Sequence, residues 1–246
     1  MAKPTYQELL DAGVHFGHMR KKWNPKMAPY IFMERKGIHI IDLNRTSECL
    51  DRAANAMKAI AKSGRKILFV ATKKQARDIV SQSAQSVGMP FVTERWLGGM
   101  MTNFATIKRS VKKMQTIERM LADSTAQNLT KKERLTMERE RLKLVKVLGG
   151  IEDLGRLPAA VFVVDIEREH IAIAEAKRLG IRTLAMVDTN SDPGEVDFPV
   201  PANDDASKSV AVITQYLTDA IRQGLEERTS NKASEEKTAM DQPAAE

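Results

Sequence analysis

The chain has 246 residues, 42% hydrophobic and 29% charged, with a formal net charge of +7 and a pI near 9.4; this describes a globular chain with ample core and an anionic partner. The single cysteine, Cys49, excludes an internal disulfide framework and sits in a helical pattern that favours a buried thiol. The first six residues lack the apolar run of a secretion signal, and no segment approaches the ~18 apolar residues of a membrane span, so a cytoplasmic protein without a membrane partner is expected.

Thr5 opens a short helix, Tyr6 to Ala12, that Gly13 can close. From Val14 to Gly37 periodicity is weak, and Phe16, Trp23, Tyr30 and Phe32 interleave with Arg20, Lys21, Lys22 and Lys26. Rings of this kind can anchor a loop while its cations grip a phosphate backbone. Residues 1–37 are therefore expected to pack on the core as an N-terminal helix and basic, aromatic loop.

Strand–helix alternation follows. Ile38 to Asp42 reads as a short strand, Thr46 to Ser63 as a helix ended by Gly64, and Ile67 to Ala71 as a strand buried on both faces. Lys74 to Val87 is helical, and Phe91 to Thr93 a further strand. After an interruption the pattern resumes with strand Ala160 to Asp165, helix Glu169 to Leu179 and strand Thr183 to Val187. Phe198 to Ala202 adds an edge strand limited by two prolines, and Asp205 or Ser207 caps a closing helix to about Gln223. This order predicts an α/β domain over 38–102 and 149–224, a flavodoxin-like, doubly wound parallel sheet of about five strands. From Leu225 the chain turns polar and acidic, and 225–246 is expected to be a disordered tail.

The interruption, 103–148, is the most informative segment. Between Thr106 and Lys146 twelve Lys or Arg face five Asp or Glu, a surplus equal to the charge of the whole chain. Ile107, Val111, Met114, Ile117 and Leu121 recur at helical spacing, as do Leu135, Leu142, Val145 and Leu148. Asp123-Ser124-Thr125 and Asn128-Leu129-Thr130 supply breaking and capping chemistry between them. The segment predicts an inserted antiparallel helical hairpin, a coiled coil whose first arm would reach about 28 Å at 1.5 Å per residue. Such a charge run can be a merely solvated face, but here the excess has one sign, and a narrow basic rod suits a nucleic acid. Lys108, Arg109, Lys112 and Lys113, with Lys131 and Lys132 near the turn, are the candidate contacts. Arg20, Lys21, Lys22, Trp23 and Lys26 join them in the N-terminal loop, and Arg95 and Asn103 at the hairpin base.

Other motifs are weaker. His15 and His18 form H-F-G-H; a metal there needs further ligands, which Asp188, Asp204 and Asp205 near strand ends supply only if the fold brings them together. Structural zinc or magnesium is a candidate and not a requirement; packing or RNA contact is the default. Asp188-Thr189-Asn190-Ser191-Asp192 begins like a calcium loop, but Pro193 and Pro199 replace the glycine and glutamate such a loop needs, so a tight turn is expected. There is no phosphate-cradling glycine motif, nucleophile elbow or Cys/His pair, and catalysis is disfavoured. Gly98-Gly99 and Gly149-Gly150 flank the hairpin and supply backbone freedom at its base.

Several segments resemble one family, small-subunit ribosomal protein two in its bacterial form. The resemblance runs through H-F-G-H and W-N-P-K-M-A-P-Y-I (His15 to Ile31), I-H-I-I-D-L (Ile38 to Leu43) and I-L-F-V-A-T-K (Ile67 to Lys73). It continues through R-W-L-G-G-M-M-T-N-F (Arg95 to Phe104), L-G-G-I at Leu148, L-P-A-A-V-F-V-V-D (Leu157 to Asp165), V-D-T-N-S-D-P (Val187 to Pro193) and V-P-A-N-D-D-A (Val200 to Ala206). It covers about residues 5 to 224. The resemblance implies a non-catalytic constituent of the small ribosomal subunit at the head–body junction, binding small-subunit rRNA. It also implies a role in docking ribosomal protein one, with neighbouring small-subunit proteins as partners, no required cofactor and no homo-oligomer. The competing readings are a free RNA-binding regulator, which would stay off ribosomes, and a small-molecule enzyme on the sheet, which would retain a nucleotide.

Overall fold

The computed structural model describes residues 3–122 and 130–240, the last nine by backbone alone. Helix α1 (Tyr6–Asp11) starts at a capping box: the Thr5 hydroxyl receives the Glu8 amide while Glu8 receives the Thr5 amide. Then β1 (Phe16–Met19), β2 (Ile31–Arg35) and β3 (Ile38–Ile41) form a separate three-stranded antiparallel sheet, ordered β1-β3-β2. This differs from expectation twice. The supposedly irregular stretch carries two strands, and Ile38–Ile41 joins that small sheet instead of opening the alternation. The turn Lys36-Gly37, both at positive φ, folds β3 straight back on β2, so the pair closes locally.

Helix α2 (Leu43–Lys62) leads into β4 (Ile67–Val70), α3 (Arg77–Ser86) and β5 (Phe91–Val92). Two long helices follow, α4 (Phe104–Ala122) and α5 (Lys131–Leu148), before β6 (Ala160–Val164), α6 (His170–Arg178), β7 (Arg182–Val187), β8 (Phe198–Pro201) and α7 (Ser207–Met240). The main sheet is parallel throughout, in the order β5-β4-β6-β7-β8. Counted from β4 this is the flavodoxin-like 2-1-3-4-5 order with its switch point between β4 and β6. Every residue of β4 and β6 is buried, as continuous apolar runs require. Phe69 and Phe162 are register partners whose rings meet edge-on at 5.5 Å; burial of each ring stabilises the fold by about 2–3 kcal/mol.

One face of the sheet buries Leu50, Met57, Ile213 and Leu217 from α2 and α7. The other buries Trp96, Met101 and Ile173 together with Ile107, Val111, Met114 and Leu148 from the bases of α4 and α5. Gly224 lets α2 and α7 approach closely: a Cβ there would lie 2.5 Å from the Lys58 carbonyl oxygen. Helix α7 continues well past Gly224, so the tail does not become disordered at Leu225. Leu225 packs on the core and Glu227 pairs with Lys58 at 2.6 Å and Lys62 at 3.0 Å, contacts that extend the helix on α2. Residues 241–246 lie outside the described residues. The entry to α7 is held by Asn203, which receives the Asp205 and Ala206 amides, rather than by an Asp205 or Ser207 side chain. Among the described residues no helix is long and apolar enough to cross a membrane.

Candidate nucleic-acid interface

Helices α4 and α5 lie side by side. Lys113 pairs with Glu140; Lys108 reaches the Gly155 carbonyl, Gln115 reaches Glu152 and Glu118 pairs with Arg141, and these last three links run in opposite chain directions. Helix α4 buries Ile107, Val111, Met114 and Ile117 of the expected stripe and leaves Leu121 half-buried. Helix α5 follows expectation only at Leu148, which is buried. Leu135, Leu142 and Val145 are 47%, 54% and 37% exposed, and Leu144 and Val147 pack inward in their place. Several apolar positions of α5 share helical spacing, and periodicity alone does not say which set meets the partner. Its start is fixed by a second capping box, Thr130 with Glu133; the breaking and capping chemistry expected over Asp123 to Leu129 lies outside the described residues.

The loop that leads into α4 is tied to the domain by one carboxylate. Glu175 on α6 accepts hydrogen bonds from the Trp96 indole (3.0 Å), the Gly99 amide (2.7 Å), the Met101 amide (2.9 Å) and the Thr102 amide and hydroxyl (2.9 and 3.0 Å). Gly99 turns this loop at φ +87°, and Gly150 presses against Phe91 on the other side. Sequence reasoning missed Glu175; the signal was an acid on the apolar face of a helix, beside Ala172, Ile173 and Ala176.

The candidate cations sort by their partners. Arg109, Lys112, Lys131 and Lys132 are exposed and have no acidic partner among the described residues. Lys113 is committed to Glu140, and Lys108 to Gly155 and the Phe104 ring face, 5.1 Å away. In the N-terminal layer Lys21 and Lys22 are exposed, in a 3-10 turn (Arg20–Lys22), with no acidic partner among the described residues, whereas Arg20 pairs with Glu34 at 3.3 Å and Lys26 with Asp192 at 2.6 Å. Trp23 is partly exposed and packs its ring 5.1 Å from that of His39. At the base of the helix pair Arg95 is exposed and has no acidic partner among the described residues, and Asn103 receives the Thr106 hydroxyl.

A second cluster lies where the N-terminal layer meets the C-terminal ends of the parallel strands. Thr189 receives the His18 amide at 2.8 Å, its carbonyl receives the Asn24 amide, and Gly17 fits closely beneath its methyl. As expected, residues 188–192 make a tight turn: Ser191 N bonds to Asp188 O, and Asp188 Oδ1 receives Thr189 N and Oγ1. The fold brings one ligand atom from each of His18, Asp188 and Asp204 within 4.8 Å of the others. Asp188 and Asp204 are buried and their Oδ2 atoms receive no hydrogen bond, although His18 Nδ1 faces Asp188 Oδ2 at 3.0 Å. Orphaned carboxylate oxygens beside an imidazole fit a divalent ion.

Asp205 is at the edge of this cluster, 3.5 Å from His18 Nε2. His15 is not part of it. It lies in the turn that precedes β1, and its ring packs at a tilt against that of Phe16, 4.0 Å away. Lys73, at the end of β4, sits 2.7 Å from Asp204, 2.6 Å from Asp205 and 3.4 Å from Asp165. Burial opposes its charge, but these three acids hold its pKa well above the ordinary lysine value. Burial and the neighbouring Asp188 and Asp165 push the Asp204 carboxyl up to about 7.

A five-stranded parallel α/β domain with a basic helix pair inserted between β5 and β6 defines the class of this chain. The family model described as "Ribosomal protein S2" matches residues 9–224. A relative from Cytophaga hutchinsonii, named small ribosomal subunit protein uS2, is 62% identical over 94% of this chain and 91% of its own length. Relatives of the same name from Flavobacterium johnsoniae and Phocaeicola vulgatus are 59% and 57% identical, each over 99% of this chain and over 95% and 87% of their own lengths. The chain belongs to the ribosomal protein S2 family, structural constituents of the bacterial small ribosomal subunit, and is not an enzyme.

Proposed function

We propose that the protein binds small-subunit rRNA through the helix pair α4/α5 and the basic N-terminal turn, as a single copy within the cytoplasmic small subunit. The carrying observation is the set of exposed cations without acidic partners: Arg109, Lys112, Lys131 and Lys132 on the helices and Lys21 and Lys22 in the turn. Such groups exchange salt counterions for phosphates, whereas Lys113, Arg20 and Lys26 must first give up an acid. A-form rRNA is read mainly by shape, phosphate and 2′-hydroxyl, which a rod of point charges can do.

Docking of ribosomal protein one belongs, in this reading, to the outer face of the N-terminal layer. Tyr6, Leu10, Phe16, Phe32 and Met33 are exposed there around a concavity of about 380 Å³. A contiguous apolar face rimmed by polar residues suits a protein partner while the cations hold RNA. The His18/Asp188/Asp204 cluster is the accompanying metal-site reading, with zinc favoured over magnesium by the imidazole. A divalent ion there would tie the N-terminal layer to the strand ends.

Sedimentation tests the main reading. The tagged chain should run with small subunits in a sucrose gradient, and a chain that stays at the top while subunits form normally would contradict it.

A further inference from the structure

At the C-terminal ends of β4, β5 and β6 lies an open crevice of about 460 Å³, lined by Thr72, Glu94, Arg95, Trp96, Arg168 and Glu169, with Ile171 on its wall. It sits at the switch point of the sheet, where open parallel folds bind ligands. Its acids are spoken for. Glu94 pairs with Arg77 at 3.3 Å and Lys146 at 3.4 Å, and Glu169 Oε1 receives both the amide and the hydroxyl of Thr72. Its cations are not. Arg95 has no acidic partner among the described residues, and Arg168 spends only Nε, on the Thr72 hydroxyl at 2.8 Å, leaving the rest of its fork available.

We infer that this crevice takes one unstacked nucleotide of an RNA strand, with Arg95 and Arg168 on its phosphodiester and the base against the exposed Ile171 side chain and the rim of the Trp96 ring. The volume suits one nucleotide, and a guanidinium fork matches phosphate oxygens. A strand fits better than a free nucleotide for two reasons. The crevice has no glycine cradle for a polyphosphate, and through Lys146 it opens directly onto the base of α5. Splayed bases beside aromatic and guanidinium groups are the usual mode of single-stranded RNA recognition. The inference rests on the rRNA reading above and adds a specific contact to it.

The test is ultraviolet cross-linking of small subunits carrying the full chain, with cross-linked peptides mapped by mass spectrometry. A nucleotide on the peptide spanning Arg95 and Trp96, lost in R95A/R168A while cross-links on α4 or α5 persist, is the expected result. In parallel, the same variant should bind small-subunit rRNA with a log K against log salt slope shallower by about 0.7, one single-strand phosphate, and keep the wild-type melting temperature. Cross-links on α4 or α5 with none at the crevice, or an unchanged slope, would overturn the inference and leave the rRNA reading standing. No cross-link anywhere on the chain would overturn both. Binding of AMP as tight as that of a short oligonucleotide would make this a mononucleotide site and overturn the strand assignment.

Discussion

The Trp96 indole donates to Glu175 across 3.0 Å in a buried contact, and through it the loop that launches α4 is bound to a helix on the far side of the sequence. Three backbone amides and the Thr102 hydroxyl converge on the same carboxylate. A single side chain thereby sets the origin of α4.

Replacing Glu175 with Ala should cost about 3 kcal/mol, because it strands buried donors that no water replaces well. E175Q, which keeps one acceptor oxygen, should lose less. Urea denaturation of both variants measures the difference; an E175A midpoint equal to wild type would show that the loop holds itself.

Burial pushes the Glu175 carboxyl up, but the hydrogen bonds from Thr102, Met101, Trp96 and Gly99 outweigh it and leave the pKa below the ordinary 4.5. A group depressed in the folded state stabilises the fold above its unfolded pKa and loses that contribution as pH falls through the folded one. Stability should therefore drop as pH falls below about 4.5, and E175Q should flatten that part of the profile. Parallel pH profiles for the two proteins would contradict this.

Much of this architecture was legible in the sequence because burial on both faces leaves continuous apolar runs: β4, β6 and β7 fell where Ile67, Ala160 and Thr183 announced them. The edge strand β8 showed through its prolines. The small antiparallel sheet did not, because β1 and β2 are largely exposed, so Phe16–Met19 and Ile31–Arg35 carry no clean alternation. The charge of the candidate interface was legible and its pairing was not. Lys112 and Lys113 are neighbours in the chain, yet only Lys113 meets an acid across the helix pair. The Lys73 hub and the Glu175 clamp join segments far apart in sequence, which spacing does not reveal.

Gly224 should tolerate no side chain. G224A places a methyl against the Lys58 carbonyl and the Ala61 methyl, and overpacking of this kind costs about 1–3 kcal/mol. A melting temperature equal to wild type would mean that α7 shifts freely on α2.

The base of the helix pair belongs to the core, and its outer part does not. Replacing residues 116–140 with a short glycine linker should leave the α/β domain folded with a near-native melting temperature. Removing 103–148 strips Ile107, Val111, Met114 and Leu148 from the core and should destabilise it by several kcal/mol, on the order of 2–5 per large side chain lost. Equal stability of the two deletions would contradict this packing.

If the His18/Asp188/Asp204 cluster holds zinc, native mass spectrometry of the full chain should show one stoichiometric ion, absent from H18A. Metal-free native protein would assign His18 to packing.

The most direct test of the central claim is the salt dependence of binding to small-subunit rRNA by the full chain and by R109A/K112A. Both cations are exposed and without an acidic partner, so each should have displaced one phosphate counterion. The variant should bind more weakly, with a slope of log K against log salt shallower by about 1.4–1.8. An unchanged slope, with the variant folded, would mean that α4 does not face rRNA and would contradict the account.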